Sequence, residues 1–191
     1  MRITRREFGT FALGSAAALM SETARARAAT NALPGACDSH VHIIGPTDKY
    51  PMVPYRAYTP PQATVAQLRA MRSRIGISRS VIVQPSFYGF DNSCMLDAMA
   101  ELGPSARGIA VVAPNTPPQT LRELDAKGVR GVRINLESAG NRDPKAAAAF
   151  LQQYAQLVKP LNWHIQVFAA VSGIGPIARQ IADLGVPVVV G

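Results

Sequence analysis

Charge, cysteine and long apolar runs are all scarce in this sequence. Only 17% of its 191 residues are charged, and acids are outnumbered by bases, 12 to 20, for a formal net charge of +8. The excess is spread thinly. Arg69, Arg72, Arg74 and Arg79 form the one local cluster, and no aromatic residues interleave with it, which favours the solvated side of a helix over a nucleic-acid-binding face. Two cysteines exclude a disulfide-built scaffold. Cys37 falls on the apolar face of a predicted strand and Cys94 near the start of a predicted helix, so both are expected to be free, buried thiols. The apolar stretch from Phe11 to Met20 is about half the length needed to cross a bilayer, which argues against stable membrane insertion. What remains is 48% hydrophobic, enough for one domain with a real core.

The N-terminus differs in kind from the rest. Thr4-Arg5-Arg6-Glu7-Phe8 precedes the mild apolar run, and Ala24-Arg25-Ala26-Arg27-Ala28 follows with small residues at signal-peptidase spacing. Residues 1–28 therefore read as a twin-arginine signal peptide that hands the chain to the twin-arginine export machinery and delivers it to the periplasm. Cleavage near Ala28 would remove five arginines and two glutamates and leave a net charge of +5. Residues 29–191 form the remaining domain.

That domain alternates strands with helices. The stretch 36–44 reads as a strand. A connection from Gly45 to Ala63 follows, rich in Pro and Tyr and too long for a minimal strand-to-helix loop, which is the mark of a loop with a job. Val65, Leu68, Met71 and Ile75 space a helix that Gly76 closes. Further strands are expected over 80–86, 107–113, 129–136, 163–170 and 186–190. Between them, Asn92 is placed to cap one helix, Thr116-Pro117-Pro118-Gln119 to open another with a capping box, and Asp143-Pro144 to start a third. Five strand-helix units and a sixth strand, with no hairpin signal, specify a parallel sheet with right-handed crossovers. The only glycine-rich turn, Gly173-Ile174-Gly175, comes too late for a dinucleotide-binding fold and reads as a helix start. A (β/α)8 barrel of the TIM type, with six strands in this chain, fits better, because such barrels carry inward polar residues at the C-terminal ends of their strands.

Those residues can be named. In the first strand the period of two sets Asp38, His40 and His42 on one face and Cys37, Ser39, Val41 and Ile43 on the other. His42, Ser86 and Asn135 are expected at the rim, with His40, Gln84 and Arg133 one layer down. Two inward histidines can bind a metal such as zinc or act as neutral donors and acid-base groups toward a carbonyl. His164, the third histidine, lies at the opposite end of its strand and reads as structural. A buried Arg133 wants a bidentate anion, either a substrate carboxylate or an internal partner such as Asp38 or Glu137.

Four segments in order carry a resemblance: Asp38-Ser39-His40-Val41-His42; Tyr58-Thr59-Pro60; Val83-Gln84-Pro85-Ser86 with Asp91-Asn92; and Gly128-Val129-Arg130-Gly131-Val132-Arg133-Ile134-Asn135. Together they resemble the amidohydrolase superfamily, in particular its 2-pyrone-4,6-dicarboxylate lactonase branch, from about Pro34 onward. The resemblance implies a distorted barrel that hydrolyses a lactone or related small-molecule carboxylate, typically without a metal cofactor. It matches His40 and His42 to groups that polarise the reacting carbonyl, Tyr58 and Ser86 to substrate-contacting positions, and Arg133 to a carboxylate clamp; Asn135, by its place at the rim, is expected to bind substrate beside them. Two departures bear on the substrate: Glu137-Ser138-Ala139, with only Arg142 near, replaces a second basic clamp, and Phe168 replaces a tyrosine. In such relatives a further histidine ends strand six and the general-base carboxylate follows strand eight. Neither is in this sequence, so the reading frame is expected to continue past Gly191 and the 191-residue chain to be inactive by itself. A metal-dependent hydrolase or decarboxylase of the same superfamily, and a non-catalytic truncated product, are the alternatives.

Overall fold

Short strand segments alternating with amphipathic ones set the architecture of the computed structural model, which describes residues 35–136 and 143–191. The export leader and Glu137, Ser138, Ala139 and Arg142 lie outside the described residues. Six parallel strands, β1 (Cys37–Val41), β2 (Arg79–Val83), β3 (Ala106–Ala110), β4 (Val129–Asn135), β5 (His164–Phe168) and β6 (Val188–Val190), pair in sequence order. The helices between them are α1 (Val65–Ile75), α2 (Ser93–Leu102), α3 (Pro118–Ala126), α4 (Pro144–Val158), and two short pieces, α5 (Val171–Ile174) and α6 (Ala178–Ala182), on either side of the 3-10 turn Gly175–Ile177.

The sheet is rolled. In a flat sheet β1 and β5 would stand roughly 19 Å apart, four strand spacings, yet the His40 ring of β1 lies 3.2 Å from the Gln166 amide of β5. The helices pack outside the roll, where Ile82, Met95, Leu151, Ile165 and Trp163 are fully buried. The strand parity says which face of the sheet that is. An added Cβ at Gly108 would run into Met99 and Met95 of α2, and Gly108 stands opposite Ile82, so Ser80, Ile82 and Gln84 face the helices. Gln84, expected in the interior, instead donates from Nε2 to the Asp91 carbonyl at 2.6 Å and braces the turn after β2.

Local signals resolve unevenly. Thr64 and Gln67 make a reciprocal capping box on α1, with Thr64 N–H donating to Gln67 Oε1 at 2.8 Å and Gln67 N–H to Thr64 Oγ1 at 3.2 Å. The box expected at Thr116 does not form: its hydroxyl donates to the Ala113 carbonyl at 2.7 Å and α3 begins uncapped after Pro117. Asn92 precedes α2 without capping it, because its amide is spent on both backbone groups of Val111. Asp143 caps α4 as expected, accepting from Lys145 N–H at 3.1 Å. Cys94 is buried and free, whereas Cys37, on the edge strand, is exposed rather than buried.

Candidate active site

The interior face begins with an irregularity in β1. Asp38 stands opposite Ser80 and Val41 opposite Ile82, so three residues of β1 span two of β2. That bulge breaks the alternation the sequence suggests. Asp38 shares the helix-side parity of Ser80 and Ile82, while His40 and His42 flank Val41 and turn inward. The Asp38 carboxylate accepts from the backbone N–H of His40 at 3.2 Å and is not a third inward group.

His42 is held at both ends. Nδ1 lies 2.7 Å from the Val83 carbonyl and Nε2 lies 3.4 Å from Nη1 of Arg133. A carbonyl only accepts and a guanidinium only donates, so the ring carries its proton on Nδ1 and presents a lone pair at Nε2. Burial, then the Arg133 and His40 charges, lower its pKa, opposed by the bond to Val83. His40 packs edge-on to His42 with ring centroids 5.1 Å apart. Its pKa is lowered as well, by burial and by Arg133, against the pull of Asp38.

Arg133 is the centre of the constellation. It is 9% exposed, its Nε has no hydrogen-bond partner among the described residues, and its guanidinium lies 5.3 Å from the centroid of the Phe168 ring. Burial lowers its pKa, with Tyr58 acting in the opposite sense. Among the described residues the ion pairs are Lys49–Asp97, Arg69–Glu101 and Arg130–Asp125, so none pairs Arg133 with Asp38.

The other expected site residues lie around this centre. Tyr58, half-exposed in the long connection, meets Phe87 edge-on at 5.5 Å. Ser86 opens the 3-10 turn Ser86–Tyr88, three residues beyond the carbonyl that holds His42. Asn135 ends β4 opposite Phe168. His164 stays at the start of β5, its ring against Gly131 and bonded to the Arg130 backbone. Sequence reasoning passed over Gln166, although the period of two places it between His164 and Phe168 on the inward face.

The loop that carries Tyr58 is anchored at its base. Ile44 and Ala63 exchange two backbone hydrogen bonds of 2.8 and 3.0 Å, and both Tyr50 Oη and Lys49 Nζ donate to Asp97 Oδ2 of α2, at 2.7 and 2.9 Å. Farther along, Val53 N–H donates to the Phe87 carbonyl at 2.9 Å. These contacts fix Tyr58 over the rim.

These groups fit a divalent ion poorly. The one lone pair that His42 could offer already faces a guanidinium, and a double positive charge about 4 Å from a buried cation would cost roughly 8 kcal/mol at an effective dielectric of 20. No group of three or more His, Cys, Asp or Glu able to hold an ion occurs among the described residues. The arrangement instead suits an anion against Arg133 beside a carbonyl within reach of the histidines.

Comparison with known proteins shows the family. A family model described as Amidohydrolase matches residues 37–190. The chain belongs to the amidohydrolase family. Among amidohydrolase relatives, it is 38% identical over 135 residues to a 2-pyrone-4,6-dicarbaxylate hydrolase of Comamonas testosteroni, covering 70% of this chain and 43% of the relative. It is 31% identical over 157 residues to a 4-sulfomuconolactone hydrolase of Hydrogenophaga intermedia, covering 82% and 52%. The crystal structure of a probable 2-pyrone-4,6-dicarboxylic acid hydrolase from Acinetobacter baumannii, with citric acid bound, superposes with a TM-score of 0.72 at 29% identity, covering 82% of this chain and 57% of that one. This amidohydrolase chain thus spans about half the length of the curated relatives it matches, and its rolled six-stranded sheet corresponds to part of their TIM-barrel-type fold.

Proposed function

We propose that the site serves hydrolysis of a lactone or related cyclic ester that bears a carboxylate, by attack of water on the ring carbonyl and without a metal cofactor. The observation that carries this reading is Arg133, a buried guanidinium with an open Nε and no carboxylate partner among the described residues. A substrate carboxylate would supply the missing acceptor through charge-assisted bonds. Tyr58, Ser86 and Asn135 would line the rim around the ring, and the histidine pair with its guanidinium would face the carbonyl oxygen as charge develops on it. The names of the relatives support the substrate class, and the citric acid bound to one of them supports carboxylate recognition by this fold. A carboxylate general base has no counterpart among the described site residues, so their share of the reaction is binding and polarisation. We also infer that residues 1–28 send the protein to the periplasm.

The test is a panel of lactones with and without a ring carboxylate, offered to the protein as its gene encodes it, with elemental analysis alongside. Hydrolysis confined to carboxylated rings and unaffected by chelators is expected. Stoichiometric zinc or manganese, with activity lost on chelation, would transfer the chemistry to a metal and refute the reading.

A further inference from the structure

Gln166 is 6% exposed in the interior layer, directly opposite Arg133 in the sheet register. Its Nε2 lies 3.2 Å from Nδ1 of His40, and its Oε1 is buried with no hydrogen-bond partner among the described residues. An amide nitrogen only donates, so the His40 nitrogen that faces it must be the unprotonated one. Turning the amide over would bring its NH2 to the position of Oε1, in a layer whose neighbour Arg133 offers donors and no acceptor. The observed orientation is therefore the favoured one, and it leaves the His40 proton on Nε2. His42 is the opposite tautomer, since its Nδ1 gives a proton to the Val83 carbonyl and its Nε2 accepts from Arg133.

We propose that Gln166 is a positioning residue that divides the labour of the two histidines: it holds His40 with its proton on Nε2 as the donor to the reacting carbonyl, while His42 is the acceptor that aims Arg133. The proposal rests on the lactone-hydrolase reading for the identity of that carbonyl. Two histidines related by a period of two, on one strand and one face, would otherwise be interchangeable. Cross-strand partners distinguish them, a main-chain oxygen for one and a side-chain amide for the other. The open Oε1 has a further use as an acceptor for a substrate hydroxyl or a water at the base of the site.

Long-range proton–nitrogen correlation NMR reads the tautomers directly. The sequence has three histidines, and single His→Asn variants assign their signals. The expected result is His40 protonated at Nε2 and His42 at Nδ1 near neutral pH. Gln166→Glu, which offers only an acceptor, should move the His40 proton to Nδ1 and leave His42 unchanged. Gln166→Met, which offers nothing, should lower kcat roughly tenfold or more on the lactone the protein hydrolyses, with KM nearly unchanged, in the range seen when a supporting hydrogen bond is removed. His40 protonated at Nδ1 in the parent protein, or a folded Gln166→Met variant with unaltered kcat, would overturn the proposal. If no lactone is turned over, the lactone reading fails while the tautomer measurement still decides the role of Gln166. Should the Gln166 variants fail to fold, the spectrum of the parent protein decides alone.

Discussion

Replacing Arg133 by methionine separates a binding residue from a structural one, because the structure assigns it different costs in the two roles. In the free protein the guanidinium contributes a contact with the Phe168 ring, worth about 0.5 to 2 kcal/mol, and a long hydrogen bond to His42 at 3.4 Å. Against these stands the cost of burying a charged group whose Nε has no partner among the described residues, of order 1 to 3 kcal/mol for one unsatisfied polar group. The two nearly cancel, so the urea midpoint of Arg133→Met should change little. With a carboxylate substrate bound the balance differs. Removing one partner of a buried charge pair costs roughly 2 to 5 kcal/mol, which lowers affinity about 30- to 5,000-fold. Calorimetric titration with a carboxylated lactone or a non-hydrolysed carboxylate analogue measures that loss, and a neutral lactone serves as control. Arg133→Lys should recover only part of the affinity, since an ammonium cannot make the bidentate contact. A collapsed unfolding midpoint with carboxylate affinity intact would show that Arg133 is a structural cation and refute the reasoning.

Other outcomes follow from particular contacts. His40, His42 and His164 all have lowered pKa values, each through burial first; the unfolded chain therefore binds protons that the folded one refuses, and stability should hold above about pH 6.5 and fall as the pH drops below it. Urea midpoints across pH 5 to 8 check this, and His42→Asn should flatten the slope. At Gly131 an added Cβ would stand 2.7 Å from the His164 carbonyl oxygen and 2.9 Å from its ring, so Gly131→Ala should destabilise by about 1 to 3 kcal/mol in thermal or urea unfolding. Gly108→Ala should cost less, because its obstacle is the pliable end of Met99. Lysine at both Arg5 and Arg6 should hold the precursor in the cytoplasm on cell fractionation, and normal export of that variant would refute the twin-arginine assignment.

The parallel order of strands was legible from the alternation of short strand segments with helical stripes, and so was the shared face of Gly131, Arg133 and Asn135. Three kinds of feature were not. The β1 bulge adds one residue without any mark in composition, so parity carried Asp38 to the wrong side. Capping residues such as Asn92 and Thr116 have more than one backbone partner within reach, and tertiary neighbours decide among them; the Thr64 box went unseen because the helix start was judged from its apolar spacing alone. The contacts that define the site, His42 with Arg133 and His40 with Gln166, join strands three and four places apart in the sheet. They exist only because the sheet rolls, and rolling is a property of the whole packed layer rather than of any segment. Gln166 could have been found, since it shares the parity of His164 and Phe168, but a lone amide carries no chemical signature without the histidine it meets.

The tied base of the Gly45–Ala63 connection has an evolutionary consequence. With Ile44 and Ala63 bonded to each other and Asp97 gripping the first turn, the two ends of the segment are pinned independently of its middle, which can change length at little cost, since doubling a flexible loop adds only about 0.6 kcal/mol of closure entropy. It is an exchangeable cassette. Descendants of such a chain can redraw the outer part of the loop, Tyr55 and Tyr58 included, while the interior layer of His40, His42, Arg133 and Gln166 is inherited untouched.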